Sequence, residues 1–558
     1  MRAFPLALCV ATGLSVTAWA GDGHGGGHDD GPDPCDWSQW GRTAGHDSRA
    51  CAKAQEPEQI LAQETLDHTA DDDDPFFASG DHFQVPLSDD EGRVYVSEKT
   101  GVPDDADTWQ WHERGLRWHQ GTLAERWRFT SDWRPAPLKF EPGGLFQAAL
   151  GRKYLYVPGA GGSVFKLDKK NGQVKKRLQP FGPTLDPYTH LVGGVTIDED
   201  GNVYYNVVKV DPLAPRFTEV PGAWLVKITP DDHVHRLSYT TLIPDAPAAD
   251  SPCYLTFFEE FPRPPLPWPP PNLPDGSPRL PRQTPCLSQR PPLDATPAVA
   301  KDGTIFAVTR SHAAPNYSYV VAIRPNLTLD WAASLRDRGL DGCGSPNVSL
   351  PCPPWAAPGV DRATNLPVAA QASDASSSAP VALPDGGVAY GGLTINNGGR
   401  GHLFKFDRDG ALAGTFDFGW DNTPGVYRHD GTYSLVVKDN YYVQGTFFVT
   451  QLDSDLHEEW EYEATNTLAC ERLPDGTISC EDFGFPFEWC IASPGIDRHG
   501  TVHVVNADGN LYAIGQGGVE KGRLFLDHTA FAAYTPTAID REGRVYGINN
   551  GKLFVVGR

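Results

Sequence analysis

Residues 195–208 read VTIDEDGNVYYNVV, and the pattern returns as AVAKDGTIFAVT (298–309), VALPDGGVAYGG (381–392), GIDRHGTVHVV (495–505) and AIDREGRVYGI (538–548). Each copy is an apolar stretch, a turn carrying Asp and Gly, and an alternating apolar strand. Tight hairpin turns need positive φ, which Gly, Asn and Asp accept. The unit therefore predicts a β-hairpin. Turns in the same register are expected near Gly92, Gly151, Gly201, Gly303, Gly386, Asn440, Gly500 and Gly543, which makes eight.

Most copies continue into a second pair of strands. SVFKLDKKNGQVKKRL (163–178), AWLVKITPDDHVHRLSY (223–239), YVVAIRPNLTLDWAASL (319–335), HLFKFDRDGALAGTFDF (402–418) and TQLDSDLHEEWEY (450–462) each hold a strand, a polar turn and a strand. Four strands in roughly 40 residues make one propeller blade. The expected fold is an all-β, eight-bladed propeller of four-stranded antiparallel blades. The last copy ends after its third strand, at Lys552 to Gly557, while QILAQETL (59–66) is strand-like material with no blade of its own. A propeller left open would expose sheet edges and apolar blade faces. An N-terminal strand is therefore expected to complete the last blade.

Composition narrows the function. A net charge of −24 offers no basic face for phosphates, which excludes nucleic-acid binding and an anionic membrane surface. No stretch after the leader reaches the roughly 18 apolar residues of a membrane span. Residues 1–20 read as a secretory signal: Arg2, an apolar run from Phe4 to Val16, and Ala18-Trp19-Ala20 before cleavage at Gly21. The expected location is secreted or periplasmic. Residues 21–34 are Gly-, His- and Asp-rich and are expected to be disordered; 35–558 form the single propeller domain. His24 and His28 could bind a transition metal through imidazole, but incidental histidines in a flexible start are the favoured reading, and the acidic run 67–74 lacks the spacing of a calcium loop, so no metal site is assigned.

Three inserts interrupt the blades: the Pro-rich 244–293, then 336–377 and 464–492. The mature cysteines fall in the N-terminal segment and in these inserts. Long loops have little core of their own, so disulfides are expected to hold them. The pairings expected are Cys35–Cys51, Cys253–Cys286, Cys343–Cys352 and Cys470–Cys480, with Cys490 left over or pairing instead with Cys470 or Cys480. The aromatics Phe257, Phe258, Phe261 and Trp268 suit the first insert to contact with a partner or a neighbouring loop, although a stiff cover over the blade edge is the favoured reading. Trp109, Trp111, Trp118, Trp127 and Trp133 could offer flat faces to a sugar or quinone, but ordinary blade packing is the favoured reading.

GSVFKLDKKNGQV (162–174), GHLFKFDRDGAL (401–412) and GNLYAIGQGG (509–518), with the Trp-rich opening DWSQWGRTAGH (36–46), resemble the repeats of pyrroloquinoline quinone (PQQ) proteins. From about Cys35 to Arg558 the chain resembles the quinoprotein alcohol dehydrogenase-like eight-bladed propellers. That resemblance implies two functions. One is a secreted, non-catalytic propeller binding a protein or small-molecule ligand on its insert-bearing face. The other is a PQQ- and calcium-dependent dehydrogenase oxidising an alcohol or sugar. The dehydrogenases need Glu, Asn and Asp converging on the channel, and a Trp under the quinone. Asp421, Asn422 and Glu488 are the catalytic candidates, and Trp420 and Trp489 the cofactor-binding ones. The family's adjacent, disulfide-bonded cysteine pair is absent from this sequence, and so are CxxCH haem attachment and most of the family's Trp docking motifs. These departures favour the binding reading.

Overall fold

In several blades the recurring Asp and Gly fold the same way. In the computed structural model Asp198 turns its carboxylate over its own loop and accepts the N–H groups of Asp200 and Asn202, at 3.0 and 2.8 Å. Asp497 does this for His499 and Thr501, and Asp89 for Glu91 and Arg93. A carboxylate that binds its own loop stabilises the turn without help from elsewhere in the chain. Gly201 and Gly500 follow at φ of 83° and 82°, where a side chain would be strained. Six residues after the aspartate a tyrosine closes the unit. Tyr204, Tyr95 and Tyr546 donate to Asp198, Asp89 and Asp540 at 2.9, 3.1 and 2.8 Å.

The structure describes residues 31–69, 84–103, 105–138, 144–255, 272–277, 279–280, 282–336, 338–339, 360–361, 366–367, 369–394, 400–442, 444–529 and 535–558. The expected leader 1–20, most of 21–34, the aromatics Phe257, Phe258, Phe261 and Trp268, and the pair Cys343 and Cys352 lie outside these residues. Cys35–Cys51, Cys253–Cys286 and Cys470–Cys480 are bonded, and Cys490 is free.

Eight antiparallel sheets follow one another along the chain: blade 1 at 87–131, blade 2 at 149–178, blade 3 at 189–238, blade 4 at 289–334, blade 5 at 381–416, blade 6 at 425–463, blade 7 at 495–525 and blade 8 at 538–557. In blade 4 two short strands, Gln289–Arg290 and Ala298–Val299, share the first position. Inner strands are sandwiched between neighbouring blades and read as apolar runs, as in Val203–Lys209. Outer strands face water and carry charge, as in Val174–Leu178 (VKKRL) and Glu458–Glu463 (EEWEYE). Charge on an outer edge also discourages pairing with another sheet. Among the described residues no helix is long and apolar enough to cross a membrane.

Blade 8 has three strands from the C-terminal end of the chain and a fourth from the N-terminal end. Gln59–Thr65 pairs antiparallel with Lys552–Gly557, Gln59 opposite Gly557 and Thr65 opposite Lys552. The segment before this strand forms a belt. It touches the blades in their order round the ring, mostly at the end of the first strand, though at the start of it on blade 6 and in the turn beyond it on blade 8. Trp37 and Ser88 exchange backbone hydrogen bonds on blade 1. Leu150 donates to Ser38 on blade 2, and Ile197 to Gln39 Oε1 on blade 3. Val299, Ala382, Val426 and Ile496 donate to the carbonyls of Ala44, Gly45, Asp47 and Ser48 on blades 4 to 7. Gln55 donates to Gly543 on blade 8 at 2.7 Å. Cys35–Cys51 fastens the belt to itself.

One expected turn is corrected. The first hairpin of blade 6 turns at Asp430-Gly431, with φ of 45° and 80°, between Gly425–His429 and Thr432–Tyr441. Asn440 lies near the end of the ten-residue second strand, not in that turn. The Asp-Gly pair carries the turn chemistry; Asn440 is taken up by the ladder, opposite Phe447.

Candidate functional site on blade 6

In each blade the first hairpin turn points to the belt face, so the connection to the next blade leaves on the opposite face. All three inserts are such connections. So is GWDN (419–422), which leads into blade 6, and Glu488, which precedes blade 7. The second strand of blade 6 runs up to this face and delivers Lys438 and Asn440 beside them, with Tyr442 just past its end.

Asp421 sits at φ 56° and is held from three sides. Its N–H donates to Ser376 Oγ, and its Oδ1 accepts from the N–H and hydroxyl of Ser377, each at 3.1 Å. Its Oδ2 stands 3.7 Å from Lys438 Nζ, both side chains buried. Asn440 anchors the other side. Its Nδ2 donates to the Trp489 carbonyl at 2.9 Å and lies 3.5 Å from Glu488 Oε2, while its Oδ1 accepts the Trp489 N–H. Burial raises the Glu488 carboxyl above its ordinary range; Lys438 opposes the rise and Asp421 adds to it. Burial, then Glu488, pushes the Cys490 thiol well up. A thiol held protonated is neither a ready nucleophile nor a ready metal ligand. Tyr442 exposes its ring at the rim and brings its hydroxyl within 3.4 Å of Asn440 Nδ2. The arrangement offers charged groups and hydrogen-bond donors and acceptors.

The structure thus brings Asp421 and Glu488 into one cluster, through Lys438. Asn422 is adjacent but directed elsewhere: it is fully buried, donates to the Ile491 carbonyl at 3.3 Å, and its Oδ1 has no partner. Trp489 is fully buried among Val449, Trp460 and Tyr512, its indole N–H on the Phe447 carbonyl. Trp420 stands beside Gly401, at the connection between the second and third strands of blade 5. These residues do not fit calcium and a stacked quinone. The Lys438 ammonium already pairs with Asp421 and acts on Glu488, the charge a bound cation would supply, and Trp489 has no free face. Trp40, from the belt, donates its indole N–H to Thr423 Oγ1 and is buried in the ring.

Two features of this face carry no local signal in the sequence. Arg290 grips Asp374 with both terminal nitrogens, at 2.7 and 2.6 Å, and donates Nε–H to His312 Nδ1 at 2.8 Å; Arg310 also donates to Asp374. The two arginines hold the Asp374 carboxyl well below its usual range. They fasten the end of the second insert to blade 4. The third insert forms a hairpin, Leu468–Arg472 with Ile478–Asp482, in which Cys470 lies opposite its bonded partner Cys480. Around it Leu468, Ile478, Phe483 and Phe485 are 44%, 47%, 58% and 67% exposed. Phe483 packs on Phe485 and Phe487, at 5.9 and 5.5 Å between ring centres. Glu471, Asp475, Glu481 and Asp482 are exposed among them.

Among solved structures the chain is similar to a europium-containing methanol dehydrogenase, with a TM-score of 0.50 and 11% identity over 92% of this chain and 89% of that one. It is similar to a quinohemoprotein alcohol dehydrogenase from Comamonas testosteroni, with a TM-score of 0.52 and 10% identity over 94% and 81%. BamB from Moraxella catarrhalis aligns over 90% and 99% at 10% identity, but at a TM-score of 0.39 the overlap supports no argument. At these identities the likeness is one of fold: the chain is built as these propellers are. No family model matches the sequence, and no curated protein matches it.

Proposed function

We propose that this chain is an exported, non-catalytic propeller that binds a partner protein through its insert-bearing face, with the stapled hairpin 468–482 and the phenylalanines after it as the contact. The exposed Phe483 and Phe485 carry the reading. Apolar rings held in water by a rigid, cross-linked hairpin cost solvation free energy that a partner recovers. The acids beside them select a partner with a basic rim around an apolar patch. Export follows from the signal-like leader and the bonded cysteines, which persist in oxidising compartments.

The second reading, a PQQ- and calcium-dependent dehydrogenase, rests on the shared fold, and fold alone does not carry activity. One experiment separates the two. The purified protein is mixed with PQQ and CaCl2, and the absorbance spectrum and dye-linked oxidation of alcohols and sugars are recorded. No saturable change and no turnover are expected; turnover would overturn the binding reading. In parallel, a photo-crosslinker at position 485 is activated in the native exported milieu. It is expected to give one discrete adduct that is lost in Phe483→Ser, and a ladder of unrelated adducts would count against the contact.

A further inference from the structure

The outer half of blade 6 gathers acid groups that its own fold leaves uncompensated. Asp439 lies on the second strand (Thr432–Tyr441), Thr450 on the third (Thr446–Leu452), and Glu458 and Glu461 on the fourth (Glu458–Glu463). Residues three apart on a regular strand face opposite ways. Here a bulge shifts the register: Thr450 is opposite Glu461, Gln451 opposite Trp460, and Leu452 opposite Glu458. Glu458 and Glu461 thereby share a face, while Glu459 accepts from Gln451 on the other. Asp439 is opposite Phe448, two residues along the same face from Thr450. One carboxylate oxygen from each of Asp439, Glu458 and Glu461 lies within 4.8 Å of the others.

A cluster of acids alone is often only a solvated surface. Thr450 separates this one from that case. It is fully buried, it stands between Asp439 and Glu461 on the shared face, and its hydroxyl has no hydrogen-bond partner. Asp439 is also fully buried; its Oδ1 accepts from Arg400 at 2.5 Å, and its Oδ2 has no partner. A buried hydroxyl and a buried carboxylate oxygen left without partners cost desolvation free energy that a bound cation would offset. Charge agrees. Arg400 is shared between Asp439 and Asp417, so it does not neutralise Asp439, Glu458 and Glu461, and the cluster keeps negative charge that a divalent ion would offset.

We propose that Asp439, Glu458, Glu461 and the hydroxyl of Thr450 bind a hard divalent cation, calcium, on the edge of blade 6. All donors are oxygens, which suit a hard ion. Two come from flexible glutamates at the surface, so the site tolerates the irregular geometry and retained water that calcium accepts more readily than magnesium. An ion here would tie the outer strand to the second strand across the third.

The test is calorimetric titration of the chelator-treated full chain with CaCl2, with thermal unfolding in CaCl2 and in excess chelator. One site and a higher Tm in calcium are expected. Glu461→Gln and Glu458→Gln alter exposed residues, so the blade folds, and each is expected to weaken binding about tenfold or more through loss of a charged ligand. Thr450→Val keeps the shape and is expected to weaken binding severalfold. Absence of calcium binding by the parent protein, or an affinity unchanged in Glu461→Gln and Glu458→Gln, overturns the proposal. The latter result would place any bound ion elsewhere, for example on the acidic run 71–74.

Discussion

The indole N–H of Trp40 donates to Thr423 Oγ1 at 3.1 Å, across 383 residues of sequence. The same oxygen accepts the Ala379 N–H and donates to the Ser377 carbonyl. One belt side chain thus meets the entries to blades 5 and 6 at a single atom. Trp40→Ala is expected to destabilise the chain by about 3–5 kcal/mol, the cost of emptying a buried Trp site, and Trp40→Phe by about 1 kcal/mol through the lost hydrogen bond. Urea unfolding of both variants checks the order.

Lys438 is the positive group of the blade 6 cluster. Lys438→Met leaves Asp421 buried beside Glu488 without its counter-charge. Removing one partner of a buried pair costs about 3–5 kcal/mol. The double variant Lys438→Met/Asp421→Asn is expected to recover most of that loss, read as the urea midpoint. A double variant no more stable than the single one would show that Lys438 matters by packing alone.

Acid weakens the fold through buried imidazoles. Burial pushes His46 and His503 down to about 4. An unfolded histidine takes its proton near 6.5. Between those pH values the unfolded chain binds protons that the folded chain refuses, so stability is full above about 6.5 and falls as pH drops toward 4. Each histidine contributes at most about 1.4 kcal/mol per pH unit. Neither ring nitrogen of His503 has a hydrogen-bond partner. His503→Leu is therefore expected to raise stability and to flatten the slope of Tm against pH between 6.5 and 4.

Glu113 works in the opposite direction. It is fully buried and pushed up to about 8, opposed only by Gln84 at 3.5 Å. Its folded value lies above the unfolded one, so its contribution is full below about 4.5 and is lost as pH rises toward 8. Glu113→Gln keeps the shape and removes the charge. It is expected to raise Tm at pH 8 and to change it little at pH 5. An equal effect at both pH values would rule out ionisation as the cause.

The blades were legible because each carries its own turn chemistry within a dozen residues: Asp198, Gly201 and Tyr204 need nothing from outside. Gln59–Thr65 was legible for a complementary reason, as a strand without a blade meeting a blade without a strand. Cys35, Cys253 and Cys470 each pair with a cysteine 10 to 33 residues on, inside the same segment. The belt was not legible, because most of its bonds to the blades are backbone to backbone and leave no residue pattern. Lys438 sits in an alternating strand that reads like any other inner strand, and its charge gains meaning only when Asp421 and Glu488 arrive from two connections. Arg290 and Asp374 are 84 residues apart, and nothing near either names the other. The Asn440 turn failed because an Asn at a strand end and an Asn in a hairpin look alike until the strand's length is known.

The strand that completes blade 8 also has a consequence in time. Residues 36–65 leave the ribosome before any blade exists, yet their hydrogen-bond partners run on to Arg558. The earliest part of the chain must therefore wait for the latest. The ring cannot seal until blade 8 has emerged, and a chain interrupted before it leaves the closing strand Gln59–Thr65 and the Gln55 end of the belt without their partners, open to any protease or chaperone that meets it.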